Sequence, residues 1–374
     1  MKIAAIADLH IGLKTYSKLD PITHFNYREL EVLDNLKKIC SKLIEDNISV
    51  LVISGDIYHS STVSNTLQNE VNKILFSAAN RGLKIIMIDG NHDRKKLSSA
   101  VSPLEIFSTF NIPNIIHARD FKEYELTIDN ETIKFILLPV YASSDEIKEL
   151  INKATKNYPN KCIILGHFSV AGAKMNDWLV AENEEYIDLN AFKKDNVIFT
   201  ILGHLHKPQI LNQKPLIFYT GSLQRTDFNE ENQEKGYWIL DTQDETYQFI
   251  PINTLNFYTI KDSLIEHSLA EIMQNIDANK CNNAVVRIIL NIDEEHLLNE
   301  ADEKFLKDYL IKNNVVSISL KTQLENIQRS RNKELKEGLS IEKSIELYFK
   351  DLPRGNIRTQ LAKDILTNFR KESL

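Results

Sequence analysis

Short apolar runs recur along the first two thirds of the chain, and each ends in a polar turn. They cover residues 3–7, 50–53, 85–88, 163–165 and 197–202. Runs this short, rich in isoleucine and valine, predict strands buried on both faces. Between the early runs the apolar positions shift to helical spacing. Leu30, Leu33, Leu36, Ile39, Cys40, Leu43 and Ile44 form one such stripe, and Leu67, Val71, Ile74, Leu75 and Ala78 form another. The alternation of strand and helix predicts an α/β layered unit. Further strands are expected at 133–138, 216–219 and 237–240. The unit closes near 250–256, where Pro251 and Asn253 break the pattern.

A second pattern follows. Strand-like runs at 257–260, 284–292 and 315–320 alternate with helical patterns at 264–276 and 301–312. They predict a small α+β unit over 257–324. Residues 325–339 are dense in charge and read as a linker or solvated helix. Over 340–374 two amphipathic helices are expected. Ile341, Ile345, Tyr348 and Phe349 form the apolar stripe of the first, and Ile357, Leu361, Ile365 and Phe369 that of the second. Leu352-Pro353-Arg354-Gly355 reads as the turn between them.

Composition narrows the function classes. The 374 residues carry a net charge of −7, so nucleic acid cannot be held by bulk positive charge. Any such contact needs local basic patches, metal-mediated phosphate binding or a partner. No apolar run approaches the ~20 residues that span a bilayer. The N-terminus reads as a first strand, not a leader. The three cysteines, Cys40, Cys162 and Cys281, lie in apolar patterns without metal spacing. Buried free thiols in a reducing compartment are expected, which here means the cytoplasm, or a host's cytoplasm for a phage-encoded chain.

Chemistry is concentrated just after the five buried runs. Asp8-Leu9-His10, Gly55-Asp56, Gly90-Asn91-His92-Asp93, Gly166-His167 and Gly203-His204-Leu205-His206 follow them in order. Ligands in open α/β sheets gather outside the carboxyl ends of the strands. The expectation is that five strands bring these donors to one edge of one sheet. In Asp8-x-His10 and His204-x-His206, strand alternation would put both side chains on one side. Asp8, His10, Asp56, Asn91, His167, His204 and His206 make seven oxygen and imidazole donors. That set suits Mn, Fe, Zn or Mg, and seven donors suit two ions sharing one carboxylate. Two such ions roughly 3.5–4 Å apart serve phosphoester hydrolysis. His92 lies just beyond Asn91, free for proton transfer. His59 reads equally as a substrate-orienting or a structural residue. Arg94, Lys95 and Lys96, fixed beside the third motif, could contact phosphate or form a solvated turn.

This ordered set resembles the calcineurin-like metallophosphoesterase superfamily. Within it the chain is similar to the SbcD family of DNA double-strand-break repair nucleases. Three further stretches carry the narrower resemblance: Ala7-Asp8-Leu9-His10-Ile11-Gly12, His167-Phe168-Ser169-Val170-Ala171-Gly172-Ala173, and the run from Gly221-Ser222-Leu223-Gln224-Arg225 to Glu231. It covers about residues 1–250.

The resemblance implies a layered metallophosphoesterase β-sandwich flanked by helices over 1–256. It also implies a DNA-binding capping domain over 257–324, a linker, and an ATPase-binding helical pair over 340–374. One ion would be held by Asp8, His10, Asp56 and His206, the other by Asp56, Asn91, His167 and His204, with Mn²⁺ expected and Mg²⁺ an alternative. His92 would contact the scissile phosphate, His59 would position substrate, and Arg225 joins Arg94, Lys95 and Lys96 as a DNA contact. The implied activity is 3′→5′ exonuclease on duplex ends and endonuclease on single strands and hairpins. The implied assembly is a homodimer with an SbcC-like ABC ATPase. Rival readings are a phosphoesterase for a small phosphodiester or phosphoprotein, and a non-catalytic DNA-end scaffold.

Overall fold

The computed structural model describes residues 1–97, 101–175, 178–179, 186–324, 340–350 and 355–372. Strands β1 (Lys2–Ile6), β2 (Val50–Ser54), β3 (Lys84–Ile88), β4 (Ile115–Ala118), β5 (Lys122–Ile128), β6 (Glu131–Leu137) and β7 (Cys162–His167) form in chain order. After a small hairpin, β8–β9 (Lys174–Met175 and Trp178–Leu179), come β10 (Val197–Gly203), β11 (Gln209–Gln213), β12 (Leu216–Tyr219), β13 (Gly236–Asp241) and β14 (Thr246–Pro251).

They build two six-stranded sheets with orders β14-β13-β1-β2-β3-β4 and β11-β12-β10-β7-β6-β5. In the first sheet β1–β4 run parallel and the antiparallel β13–β14 pair extends one margin; in the second, β12, β10, β7 and β6 run parallel and antiparallel β11 and β5 close both margins. Ile3, Val52 and Ile86 from the first sheet pack against Phe135, Leu165 and Phe199 from the second. The opposite faces are covered as well. Helices α1 (Tyr27–Glu45) and α2 (Asn65–Asn80) bury Leu36, Ile39, Val71 and Leu75 on the first sheet. A short α3 (Glu105–Thr109) follows, and α4 (Ser144–Thr155) buries Ile147 and Ile151 on the second sheet. The layers are therefore α–β–β–α, with the inner strands apolar on both faces as their sequence requires.

Two expectations are corrected here. The five motif strands do not share one sheet: β1, β2 and β3 belong to the first, β7 and β10 to the second. Both sheets present carboxyl ends at the same side of the sandwich, and the donors meet across the gap. Nor do Asp8-x-His10 and His204-x-His206 rely on strand alternation. β1 ends at Ile6, and Asp8, His10, Asp56 and His204 all have positive φ, at 53°, 46°, 52° and 95°. Left-handed backbone costs a non-glycine residue of order 1–3 kcal/mol and persists where the surroundings fix it.

Beyond residue 255, β15 (Asn256–Ser263), β16 (Ala284–Ile292) and β17 (Ser317–Leu324) form a parallel three-stranded sheet. Helices α5 (Leu269–Asn275), α6 (Ala278–Cys281) and α7 (Glu300–Lys312) accompany it. Its core, built on Ile272, Cys281, Ile288, Leu306 and Leu310, is separate from the sandwich cores. Helices α8 (Ile341–Phe349) and α9 (Gly355–Glu372) end the described chain. The charged 325–339 stretch, most of the expected turn between these helices and the Phe369 side chain lie outside the described residues.

Candidate metal centre

Each donor is placed by backbone geometry as much as by its strand. Asp8 donates its N–H to the Gly55 carbonyl and His10 to the Asp56 carbonyl, which ties the β1 and β2 turns together. Asp93, fully buried, accepts from the N–H groups of Tyr58 at 2.8 Å and Gly90 at 2.9 Å. This locks the third turn onto the second. A side chain at position 90 would collide with the Asp56 carboxylate, and one at 203 with the Ser54 carbonyl. Glycine before the donor is a requirement of this close approach.

All seven sequence-predicted donors come together. The His10 and His206 Nε2 atoms are 2.9 Å apart. His167 Nε2 lies 3.2 Å from Asp56 Oδ2 and 3.1 Å from Asn91 Oδ1. His204 Nδ1 is 3.2 Å from the same Asn91 oxygen, and His10 Nε2 is 3.7 Å from Asp56 Oδ2. Atoms bound to one cation at about 2.0–2.2 Å lie roughly 3.0–3.5 Å from each other, so these separations match the edges of a coordination shell. Asp8, His10 and His206 form one compact group, and Asp8, Asp56 and His167 another.

The hydrogen-bond pattern also fits a cation. His167 Nδ1 lies 2.8 Å from the Ser54 carbonyl, which fixes the ring proton there in the neutral form. Its Nε2 lone pair then faces two oxygens, Asp56 Oδ2 and Asn91 Oδ1, that bring no hydrogen to it in that orientation. Electrostatics say the same. Burial opposes charge on His167, yet Asp56 and Asp8 outweigh it and lift the pKa to about 9 without metal. Burial pushes Asp8 up to about 6. Burial also disfavours charge on Asp56, but His167 and His10 hold it below the usual carboxylate range. Burial, then neighbouring imidazoles, lowers His10 well below its ordinary value and His204 to about 4. Without metal the centre thus holds ionised carboxylates, neutral His10 and His204 and a protonated His167, all marking a place that favours positive charge.

His92 sits at the open side. Its N–H donates to Asp56 Oδ1 at 2.9 Å, and its Nδ1 meets the His59 carbonyl at 2.8 Å. That leaves Nε2 for an incoming group. The His59 ring stacks on it at 5.3 Å. Lys95 and Lys96 are exposed nearby.

The other two basic residues expected at DNA are turned inward. Arg94 is buried beside Asp89 and over the Tyr141 ring. Arg225 gives its guanidinium to Thr254 Oγ1 and to the carbonyls of Leu255 and Gln233. Carbonyls and a hydroxyl thus hold the Arg225 guanidinium, whereas that of Arg94 lies near the Asp89 and Asp120 carboxylates at 4.0 and 3.7 Å.

Several supporting residues were not singled out by sequence reasoning. Glu230 accepts from His206 Nδ1 at 2.8 Å and pairs with buried Lys235 at 2.7 Å. Gln224 donates to the Leu9 and His10 carbonyls. The Tyr141 hydroxyl lies 3.0 Å from the Asn91 carbonyl and 2.7 Å from that of Arg94. Glu230 and Gln224 both fall in the run that closes the face after the histidine pair, the one signal that pointed to them.

The sequence profile of the calcineurin-like phosphoesterase family matches residues 1–208, more than half of the chain, and the chain belongs to that family. Among curated relatives, it is 27% identical over 315 residues to an uncharacterized protein of Acanthamoeba polyphaga mimivirus, with 82% of this chain aligned but only 22% of that longer protein. It is 26% identical to the SbcD component of the nuclease SbcCD of Staphylococcus epidermidis, covering 68% of this chain and 70% of the relative. It is 24% identical to the DNA double-strand break repair protein Mre11 of Sulfolobus acidocaldarius, covering 89% and 88%. The family fold implies a binuclear metal site, and the donor set found here fits one.

A pH dependence follows from His167. Its raised pKa of about 9 means that the metal-free imidazole is protonated at pH 7, whereas a ligand must be neutral. Loading the centre at pH 7 should therefore expel about one proton, and affinity should rise roughly tenfold per pH unit from 6.5 to 8.5. Titration calorimetry of the metal-free protein in buffers of different ionisation enthalpy measures this. Proton-neutral binding with pH-independent affinity would contradict the assignment.

Proposed function

We propose that this phosphoesterase is a metal-dependent DNA nuclease, the SbcD-like subunit of a DNA end-processing complex. The observation that carries the reading is the convergence of seven donors from two sheets on one edge, with His92 poised outside them. In this reading Asp8, His10, Asp56 and His206 hold one divalent ion, and Asp56, Asn91, His167 and His204 hold the other. Asp56, common to both sets, would serve both ions. Manganese is proposed, with magnesium as the alternative. Two such cations supply Lewis acidity to a phosphodiester and neutralise the charge that develops as it is cleaved.

The protein's own groups do the rest. Glu230 and the Ser54 carbonyl fix the proton positions of His206 and His167, so that each presents an Nε2 lone pair. The His59 carbonyl orients the His92 ring through Nδ1, so that Nε2, when it carries a second ring proton, can pass it to the departing 3′ oxygen. His59 shields one face of that ring and positions the strand. Lys95 and Lys96 lie exposed where a backbone phosphate would pass.

Relatives named as a component of a nuclease and as a DNA double-strand break repair protein support DNA as the substrate class. The activities we assign are 3′→5′ exonuclease on duplex ends and endonuclease on single strands and hairpins, carried out by a homodimer. Residues 1–256 form the nuclease domain, 257–324 a capping domain that binds DNA, and 340–374 the docking segment for an SbcC-like ABC ATPase. The helical pair supports this last point. Ile341, Ile357, Leu361 and Ile365 are 55%, 68%, 61% and 62% exposed. The Arg358–Glu294 ion pair, itself on the surface, ties the pair to the preceding unit. Helices of 9 and 18 residues with apolar faces in water require a partner surface.

Two outcomes test the proposal. His92→Gln should keep metal and DNA affinity while single-turnover cleavage of a labelled hairpin in Mn²⁺ falls by ~10²-fold or more. Loss of metal together with activity would make His92 a ligand instead. Replacing Ile357, Leu361 and Ile365 together by serine should leave Mn²⁺-dependent cleavage of single strands intact and abolish co-purification with the ATPase. Undiminished ATPase binding would remove the docking assignment.

A further inference from the structure

The run Gln224–Glu231 touches two parts of the molecule in alternation. Toward the centre, Gln224 Nε2 holds the Leu9 carbonyl at 2.6 Å and that of His10 at 3.2 Å. The Thr226 hydroxyl lies 3.2 Å from His206 Nδ1 and donates to Glu230 at 2.6 Å, and Glu230 accepts from His206 itself. Toward the three-stranded sheet, Arg225 clamps Thr254 and Leu255 at the entry to β15. The Phe228 ring packs on Phe257 at 4.9 Å and lies under Arg287 at 4.3 Å. Glu231 accepts from the Thr259 N–H at 2.8 Å and from its hydroxyl at 2.5 Å. Arg287 Nη2 donates to the same hydroxyl at 3.0 Å.

The inward partners of this run are His10 and His206, the two imidazoles whose nitrogens stand 2.9 Å apart. The supports of the other donors lie elsewhere. His167 rests on Ser54, the His204 N–H on the Asp8 carboxylate, and the Asn91 turn on Tyr141 and Asp93. All of these belong to the sandwich. Arg28, buried beneath the run, extends the first connection. It donates to Gln224 Oε1 at 2.9 Å and lies over the Phe257 ring at 5.6 Å.

We infer that Gln224–Glu231 is a lever through which the β15–β17 sheet sets the geometry of one metal position, that of His10 and His206, and reaches the Asn91–His167–His204 position only indirectly, through Asp8 and Asp56. Glu230 and Gln224 act as positioning residues, and Glu231–Thr259 is the coupling contact on the sheet side. Anything that displaces this sheet, such as DNA lying across it, would then act on one ion selectively. The inference rests on the ligand assignment proposed above.

The test is Mn²⁺ binding by the full-length chain, followed by calorimetry and by the electron paramagnetic resonance of free Mn²⁺. His206→Ala and His204→Ala first identify which binding step belongs to which position. Thr259→Val keeps the side-chain volume and removes the hydroxyl that meets Glu231; Glu231→Gln weakens the same contact from the other end. Each should weaken the His206 step by ~10-fold or more while the His204 step stays within about twofold, the scale at which supporting hydrogen bonds tune a metal ligand. Thr259→Ser, which retains the hydroxyl, should bind as the unaltered protein does. Equal shifts in both steps, or none in either, overturn the lever and leave the metal centre standing. If the unaltered protein lacks two steps, or His206→Ala removes neither, the ligand assignment falls and the lever with it.

Discussion

Buried carboxylate, amide and imidazole groups crowd around Asp56, and the space among them demands positive charge. Asp56 Oδ2 faces His167 Nε2 at 3.2 Å and His10 Nε2 at 3.7 Å, while Asn91 Oδ1 closes on the same His167 nitrogen. A proton on His167 meets that demand in the metal-free protein, and a bound cation would replace it. Much of the surrounding architecture follows from that requirement. The left-handed turns at Asp8, Asp56 and His204 aim donors inward, and the glycines before Asp56, Asn91 and His204 let two sheets approach closely enough for their loops to meet. The strain in those turns is held by the hydrogen bonds of Asp93, Ser54 and Gln224.

The inner strands were legible in the sequence because burial on both faces leaves an unbroken apolar run, as in Val50–Ser54. The same runs located the seven donors, since each donor follows a strand end. The marginal strands were harder to see. Lys122–Ile128, Gln209–Gln213 and Thr246–Pro251 bury few positions, so they lack the unbroken apolar run that marks the inner strands. The division into two sheets was hidden for a different reason. Periodicity reports that a strand is buried, not which neighbour covers it, so five motif strands read naturally as one sheet.

The supporting residues were hidden by their chemistry. Arg28, Glu230 and Lys235 are charged residues that a sequence reader assigns to the surface, yet all three are buried. Each is satisfied by partners distant in the fold or the chain: Arg28 reaches Gln224, and His206 Nδ1 finds Glu230. Arg94 and Arg225 show the converse. Their position beside the centre suggests phosphate binding, but backbone carbonyls and Asp89 occupy the space around their guanidinium groups. Of the three basic residues after the third motif, Lys95 and Lys96 are the exposed ones.

The central claim is that two cations share Asp56 at the edge where the sheets meet. Crystals soaked in Mn²⁺ and measured at the manganese absorption edge address it directly. Two anomalous peaks are expected roughly 3.5–4 Å apart, one on each side of the Asp56 carboxylate. The first should lie against His10 and His206, the second against Asn91, His167 and His204. A single peak, or a pair of peaks bridged by a residue other than Asp56, would contradict the account.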